Sequence, residues 1–313
     1  MWDGIVIGGG FAGLIAGIRA SERGKRILMI AEGTGSLSSS SGVFDIGPIP
    51  SLARLEKHPY SYLEPQNIQA AVEYFRSLLP EYEKCEGESS LVLTPLGSCR
   101  TADLMPMGLK AEALIQSKEI VLMAPEGMKD FFSRVVKENL EKEFPQSRVE
   151  IYPFQVSAFA PWQQVGKAVN GLEFARFWRT EEGIETLQKL LEALVRYIRN
   201  QKEAAVVFPG LSRVFNKPLQ KLLAHFPCPI IEMTDIPPTF GGEILYDALK
   251  RKFKEFGGEI ILGSGVRKVD IQGKNCFQVW VKSKGSDSNF QAKELVLATG
   301  GSSEGGSKRL RME

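Results

Sequence analysis

The short apolar run Ile5-Val6-Ile7 leads at once into Gly8-Gly9-Gly10-Phe11-Ala12-Gly13, the pattern of a buried strand that turns sharply into a helix. Ala12, Ile15, Ala16 and Ile18 carry the helical face as far as Arg23-Gly24, where glycine ends it. Arg26-Ile27-Leu28-Met29-Ile30 predicts a second buried strand. A strand–helix–strand unit of about 30 residues is the size of a right-handed parallel crossover. The stretch 33–51 that follows is rich in Gly, Ser and Pro and too long for a mere connection, which marks it as a functional loop.

Residues 60–235 have an alternation of their own. Ile120 to Met123 predicts a strand, and Phe131, Phe132, Val135, Val136 and Leu140 mark the buried face of a following helix. Leu187, Leu190, Leu191, Leu194, Val195 and Ile198 give a strongly amphipathic helix before the strand Ala205 to Phe208. From Gly241 a helix is expected to bury Ile244, Leu245, Ala248, Leu249, Phe253 and Phe256, with Lys250, Arg251, Lys252 and Lys254 on a solvated face. Strands are expected at 259–262, at the alternating Phe277, Val279 and Val281, and at the apolar run Leu295 to Ala298.

The predicted fold is α/β: a Rossmann-like nucleotide-binding domain with a parallel sheet, interrupted by an inserted α/β domain. Residues 1–55 form the first part of the nucleotide-binding domain, 56–235 the insert for substrate or partner, and 236–301 the return. Residues 302–313 read as a polar, disordered tail.

Charge narrows the function classes only by exclusion. With 39 Lys+Arg against 37 Asp+Glu, no global field points to nucleic acid or to an anionic membrane. No apolar run approaches the roughly 20 residues needed to span a bilayer, and the start of the chain lacks the basic and apolar regions of a secretory signal. A cytoplasmic location is therefore expected. Cys85, Cys99, Cys228 and Cys276 stand far apart without a C-x-x-C pair, so neither a metal site nor a disulfide framework is expected.

The chemistry concentrates in Gly8-x-Gly10-x-x-Gly13. The first glycine permits the tight turn, the second lets backbone approach a pyrophosphate, and the third lets helix and strand pack closely. An acid that binds ribose belongs about 20 residues further on. Glu32 stands 19 positions after Gly13. In many flavoproteins the acid falls one place earlier, at Ala31 here, and a one-residue shift reverses side-chain direction. Glu32 thus reads equally as ribose ligand or exposed loop-edge residue. Ser40, Ser41 and Gly42 offer hydroxyls and amides to a flavin ribityl or phosphate, or else belong to a solvated serine linker. Gly300, in Leu295 to Gly301, ends a strand of the kind that returns the chain to the nucleotide. His58 and His225 stand in no nucleophile–base arrangement; Arg100 is the candidate catalytic residue, binding an anionic substrate group, with a surface salt bridge as its alternative fate.

Taken together, several stretches resemble the B subunit of anaerobic glycerol-3-phosphate dehydrogenases. They are Ile7 to Leu14, Ser40-Ser41-Gly42-Val43-Phe44-Asp45, His58-Pro59-Tyr60-Ser61, Thr94-Pro95-Leu96-Gly97, Gly127 to Phe131, Ile236-Pro237-Pro238 and Ala298-Thr299-Gly300. The resemblance implies a flavin-dependent subunit that oxidises glycerol 3-phosphate to dihydroxyacetone phosphate. Its partners would be a catalytic A subunit and an iron–sulfur, membrane-anchoring C subunit that passes electrons toward the quinone pool, placing the chain peripherally at the inner face of the membrane. It implies FMN, whereas a dinucleotide fingerprint alone favours FAD. Gly8, Gly10, Gly13, Ser40, Ser41, Gly42 and Gly300 would line the flavin. Family members continue beyond Gly300, so the chain reads as C-terminally truncated relative to them. The competing readings are a stand-alone FAD-dependent dehydrogenase of the fumarate-reductase class and a non-catalytic Rossmann-like assembly subunit.

Overall fold

The computed structural model describes residues 1–85, 90–159, 168–273, 276–282, 287–300 and 311–312. The chain divides into two compact units, one made of Met1–Ser38 with Gly242–Glu313 and the other of Ser39–Gly241.

The first unit holds a seven-stranded sheet. In spatial order its strands are Glu259–Leu262, Ile27–Ala31, Trp2–Ile7, Asp287–Leu297, Phe277–Lys282, Gly265–Ile271 and Arg311–Met312. The first four run parallel, and the strands 265–271, 277–282 and 287–297 form an antiparallel meander. Period-2 alternation gives the central strands two apolar faces, as a parallel sheet covered on both sides requires. Ile5, Ile7, Leu28 and Ile30 pack with Val269, Val279, Val281 and Ala292. Val6 and Met29 face the other way, toward the helix Phe11–Glu22 and Phe253 of the helix Phe240–Glu255.

The second unit is a three-layer α/β arrangement around a four-stranded, all-parallel sheet. Its strand order is Ile230–Glu232, Ala204–Phe208, Glu119–Glu126, Arg148–Gln155. Val121, Met123, Val206 and Phe208 bury one face against the helices Gly171–Phe177, Glu181–Tyr197 and Lys217–Ala224. Ile120, Leu122, Ala205, Val207 and Ile231 bury the other against Val136 and Leu140 of the helix Ser133–Glu143. Side-chain caps start the helices on the first face: Asn170 in a reciprocal capping box with Glu173, Thr180 on the Gly183 amide, and Asn216 on the Leu219 amide. The architecture is the expected Rossmann-like parallel domain interrupted by an α/β insert.

Four details differ from the sequence pattern. The buried face of the first helix is Gly13, Leu14, Gly17 and Ile18, while Ala12 is exposed; two glycines let the helix sit so close to its neighbours that the Phe253 ring fills the space beside Gly17. Phe132 and Val135 are 53% and 43% exposed, because the helix begins only at Ser133 and turns a narrower stripe inward. Phe256 lies beyond the helix end at Glu255 and is exposed. Leu295 to Leu297 end an eleven-residue strand, and Val296 and Leu297 stay exposed because the antiparallel partner stops at the Phe277–Ala292 pair. The tail expected to be disordered lies outside the described residues except for Arg311–Met312, which pair in parallel with Lys268 and Val269.

These packing differences set unequal costs. Leu194→Ala, which empties a fully buried position, is expected to lower the free energy of unfolding by about 2–5 kcal/mol. Val135→Ala on the exposed side should change it by less than about 0.5 kcal/mol. Urea titrations of both variants measure the contrast.

Candidate functional site

The glycine turn lies in the first unit between the carboxyl end of strand Trp2–Ile7 and the helix Phe11–Glu22. Gly8 has φ +115°, and a Cβ there would collide with the Ala298 carbonyl, so only glycine fits. The Ala298 amide donates to the Ile7 carbonyl at 2.8 Å, which sets the turn ending in Gly300 directly against Gly8. Gly13 is closed from the opposite side, since its Cβ would strike the Gly8 carbonyl. Gly10 faces open space: a Cβ built there meets nothing within 4 Å. It is also the N-cap, with no side chain capping the helix and no acid in the first turn. A helix start with a positive dipole end, no capping group and room before it fits a phosphate. The residues present therefore suit the flavin phosphate that the motif implies.

The end of the second strand shows which way residues 31 and 32 point. The residue facing the glycine turn is Ala31, whose Cβ lies 2.7 Å from the place a Cβ on Gly9 would occupy. Glu32 points the other way, its carboxylate over Gly265 at the start of the meander. Next, the 3-10 turn Gly35–Ser39 brings Gly35 against Gly10, 3.2 Å separating the Gly10 Cα from a Cβ built on Gly35. The turn thus closes over the phosphate-facing glycine.

Ser40, Ser41 and Gly42 belong to the second unit and sit against Thr239 and Gly241. Arg100 makes its contacts elsewhere; its guanidinium donates to both carboxylate oxygens of Asp45 at 3.0 Å, with 34% and 64% of the two side chains exposed. An ion pair that open to water contributes little to stability.

Asp235 is not signalled by the sequence pattern. It stands at the carboxyl end of the insert's sheet and lines a cavity of about 20 Å3 with Asp130, Phe131, Gly171, Met233 and Thr234. The residue as a whole is half-buried, whereas its carboxyl is enclosed. Burial pushes that carboxyl up to about 7, against the pull of the Gly241 and Phe240 amides that donate to it, and the nearby Glu232 and Asp130 carboxylates push the same way as burial. Asp130 spends both its oxygens on the Gly171 amide. The signal is hidden because Ile236-Pro237-Pro238 separates Asp235 from the helix it anchors, a spacing unlike an ordinary cap.

The filled and open glycine positions should respond differently to a methyl group. Gly13→Ala should destabilise the chain by at least about 1–3 kcal/mol through overpacking, whereas Gly10→Ala should cost less than about 1 kcal/mol; thermal melts compare them. For Asp235, the folded chain holds its proton to higher pH than the unfolded chain, so stability falls as pH rises from about 4 to about 7 and levels off above. That decline, roughly 4 kcal/mol, should be largely absent from Asp235→Asn in urea titrations across the same range. Superimposable profiles would show that Asp235 does not titrate this way.

Comparison with known proteins agrees with the turn's geometry. Residues 3–47 match the FAD binding domain family. The B subunit of anaerobic glycerol-3-phosphate dehydrogenase from Aliivibrio fischeri is 26% identical over 96% of this chain and 73% of its own length. The protein of the same name from Yersinia enterocolitica is 26% identical, with 96% and 74% covered. Among solved structures, 3-ketosteroid delta1-dehydrogenase from Sterolibacterium denitrificans aligns at 16% identity with a TM-score of 0.43, covering 96% of this chain. The chain spans about half the length of that structure, 48%. No helix among the described residues is long and apolar enough to cross a membrane. The cofactor class is flavin, and over almost its whole length the chain is similar to the B subunit of anaerobic glycerol-3-phosphate dehydrogenases, with the match to the FAD binding domain family confined to residues 3–47.

Proposed function

We propose that this chain is the flavin-carrying B subunit of an anaerobic glycerol-3-phosphate dehydrogenase, which oxidises glycerol 3-phosphate to dihydroxyacetone phosphate. The observation that carries the reading is the uncapped helix start at Gly10, open to a ligand and walled by Gly8, Gly13 and Gly35. It stands at the front of a chain whose resemblance to B subunits extends across 96% of its length. A bound flavin supplies hydride acceptance, so the protein need only place the substrate and shape the ring's surroundings.

The chain's own residues take the remaining tasks. The amides at the start of the helix Phe11–Glu22 receive phosphate; Ser40, Ser41 and Gly42 receive the ribityl side; Gly300 closes the turn behind Gly8. The direction of Ala31 supports FMN over FAD, because the side chain facing the glycine turn offers no carboxylate to the adenosine ribose that FAD would bring. Arg100 takes a substrate phosphate by exchanging Asp45 for it, an exchange made easy by the exposure of their ion pair. A catalytic A subunit is the partner, electrons leave through an iron–sulfur C subunit at the cytoplasmic face of the membrane, and the insert 56–235 offers the substrate and partner surfaces.

The test is the cofactor itself. The purified chain should show visible flavin absorption or take up added FMN. Gly10→Val, which fills the open space before the helix, should lose flavin while its far-ultraviolet circular dichroism stays unchanged. A colourless protein that binds neither FMN nor FAD, or a valine variant with undiminished flavin, would overturn the reading.

A further inference from the structure

The insert has a crevice of its own, and its place follows from the order of the strands. From the strand Glu119–Glu126 the chain goes first to one side, to Arg148–Gln155, and then returns to the other, to Ala204–Phe208 and on to Ile230–Glu232. The direction of winding therefore reverses between Glu119–Glu126 and Ala204–Phe208. The loops leaving the carboxyl ends of two such strands part from each other, and a parallel sheet receives its ligands in that gap. The Asp235 cavity lies there: Met128, Asp130 and Phe131 come from the loop after the first strand, Pro209 and Gly210 from the loop after the second. Three stretches that stand out in the sequence and play no part in the flavin reading meet at the same place, Pro95 from Thr94 to Gly97, Met128 to Phe131, and Ile236 from Ile236 to Pro238.

The loop beyond Gly210 is held in an uncommon shape. Ser212 and Phe215 have φ +47° and +54°, left-handed values that residues with side chains rarely adopt, and Arg179 fixes them by donating to the carbonyls of Ser212, Val214 and Phe215. The cavity's 20 Å3 takes one group the size of a water molecule. No cationic side chain lines it among the described residues, which disfavours a phosphate or carboxylate ligand. Its ionisable groups are two carboxyls. Asp130 accepts from the Gly171 amide with both oxygens and keeps lone pairs for a further donor. Asp235, enclosed and raised by burial to about 7, has a proton to give below that pH. The charged groups around it are Asp130, Glu232 with its partner Arg213, and Arg179 lying over the Phe240 ring at 5.6 Å, while the Phe240 and Gly241 amides donate to it. A hydroxyl group matches such a pair, since it accepts from one carboxyl and donates to the other. Phe131 and Ile236, the latter 38% exposed, carry apolar surface from there to solvent.

We propose that the insert binds a small uncharged alcohol at this switch point, one hydroxyl held between Asp235 and Asp130 and the carbon chain lying against Met128, Phe131 and Ile236. Every described residue that lines the site belongs to the unit Ser39–Gly241, so it stands apart from the flavin reading and does not depend on it. Because the ligand hydroxyl accepts the Asp235 proton, binding belongs to the protonated form and weakens as pH rises through about 7.

The experiment titrates the full chain, carrying carbon-13 at its methionine methyls, with propylene glycol and follows the Met128 and Met233 signals by NMR; Met128→Leu and Met233→Leu identify them. Both methyls should shift saturably with a Kd of about 1–100 mM. Binding should weaken about tenfold from about pH 6 to about pH 8 as the protonated fraction falls. Gly171→Ala sets a methyl 3.1 Å from the Met128 methyl and 3.4 Å from Asp130 Oδ2, and should weaken binding at least about tenfold by filling the space. Asp235→Asn keeps a donor but has no proton to titrate. It should bind within about threefold of wild type at about pH 6 and show no pH dependence; should it fail to fold, wild type and Gly171→Ala decide. Shifts that grow without saturating and spread over all eight methionines are a solvent effect and overturn the proposal. Undiminished binding in Gly171→Ala overturns it, as does a pH dependence that persists in Asp235→Asn. If ammonium chloride or inorganic phosphate saturates the same two methyls at lower concentration, the site takes an ion and the proposal falls.

Discussion

Three lengths of backbone meet at the beginning of the first helix with no side chain between them. The Gly8 carbonyl covers Gly13, and the Ala298 carbonyl covers Gly8. Close contact of this kind aligns the ends of the strands Trp2–Ile7 and Asp287–Leu297, whose parallel register runs Ile5 to Leu295, Val6 to Val296 and Ile7 to Leu297. It also fixes where the helix starts, and so where its first amides point. A methyl group at Gly8 or Gly13 would push these segments apart, whereas the space before Gly10 is left empty. The division between filled and open positions within six residues is what turns a strand–helix junction into a site for an anion.

Much of this is readable from the residues themselves. Ile5 to Ile7, the glycines after them and the strand 27–31 declare a parallel crossover because a buried strand shows as an unbroken apolar run. The helix around Leu187 to Ile198 is equally plain, since its apolar stripe repeats at helical spacing and its buried residues Leu187, Leu191 and Leu194 are those the repeat selects. Where the pattern misleads, the cause is local. In the first helix the glycines do the packing, and a hydrophobic count overlooks residues without side chains. At Phe132 and Val135 an apolar residue is exposed, an ordinary condition that periodicity cannot distinguish from burial.

The site is legible only in its local half. The turn at Gly8 to Gly13 is a contiguous motif and carries its geometry with it. Direction at the end of a strand is not contiguous information: whether residue 31 or 32 faces the turn depends on a single step of register. The structure puts Ala31 there. Contacts such as Thr239 with Ser40, or Asp235 with the amides of a helix beyond two prolines, join residues that no spacing rule connects. They emerge only when the chain is folded.

The strand Asp287–Leu297 has a further consequence. From Lys293 onward it has one neighbour, Trp2–Ile7, and among the described residues no strand lies on its other side. Its outer edge presents ladder amides and carbonyls next to the exposed side chains of Val296 and Leu297, a surface on which a foreign extended segment can add itself as a new strand. Charge stands at the head of that edge: Glu294 is exposed, and Lys293 is drawn across to Asp3 at 2.8 Å. Glu294 thus sets a charge at the head of that edge, the kind of side chain that discourages edge-to-edge pairing.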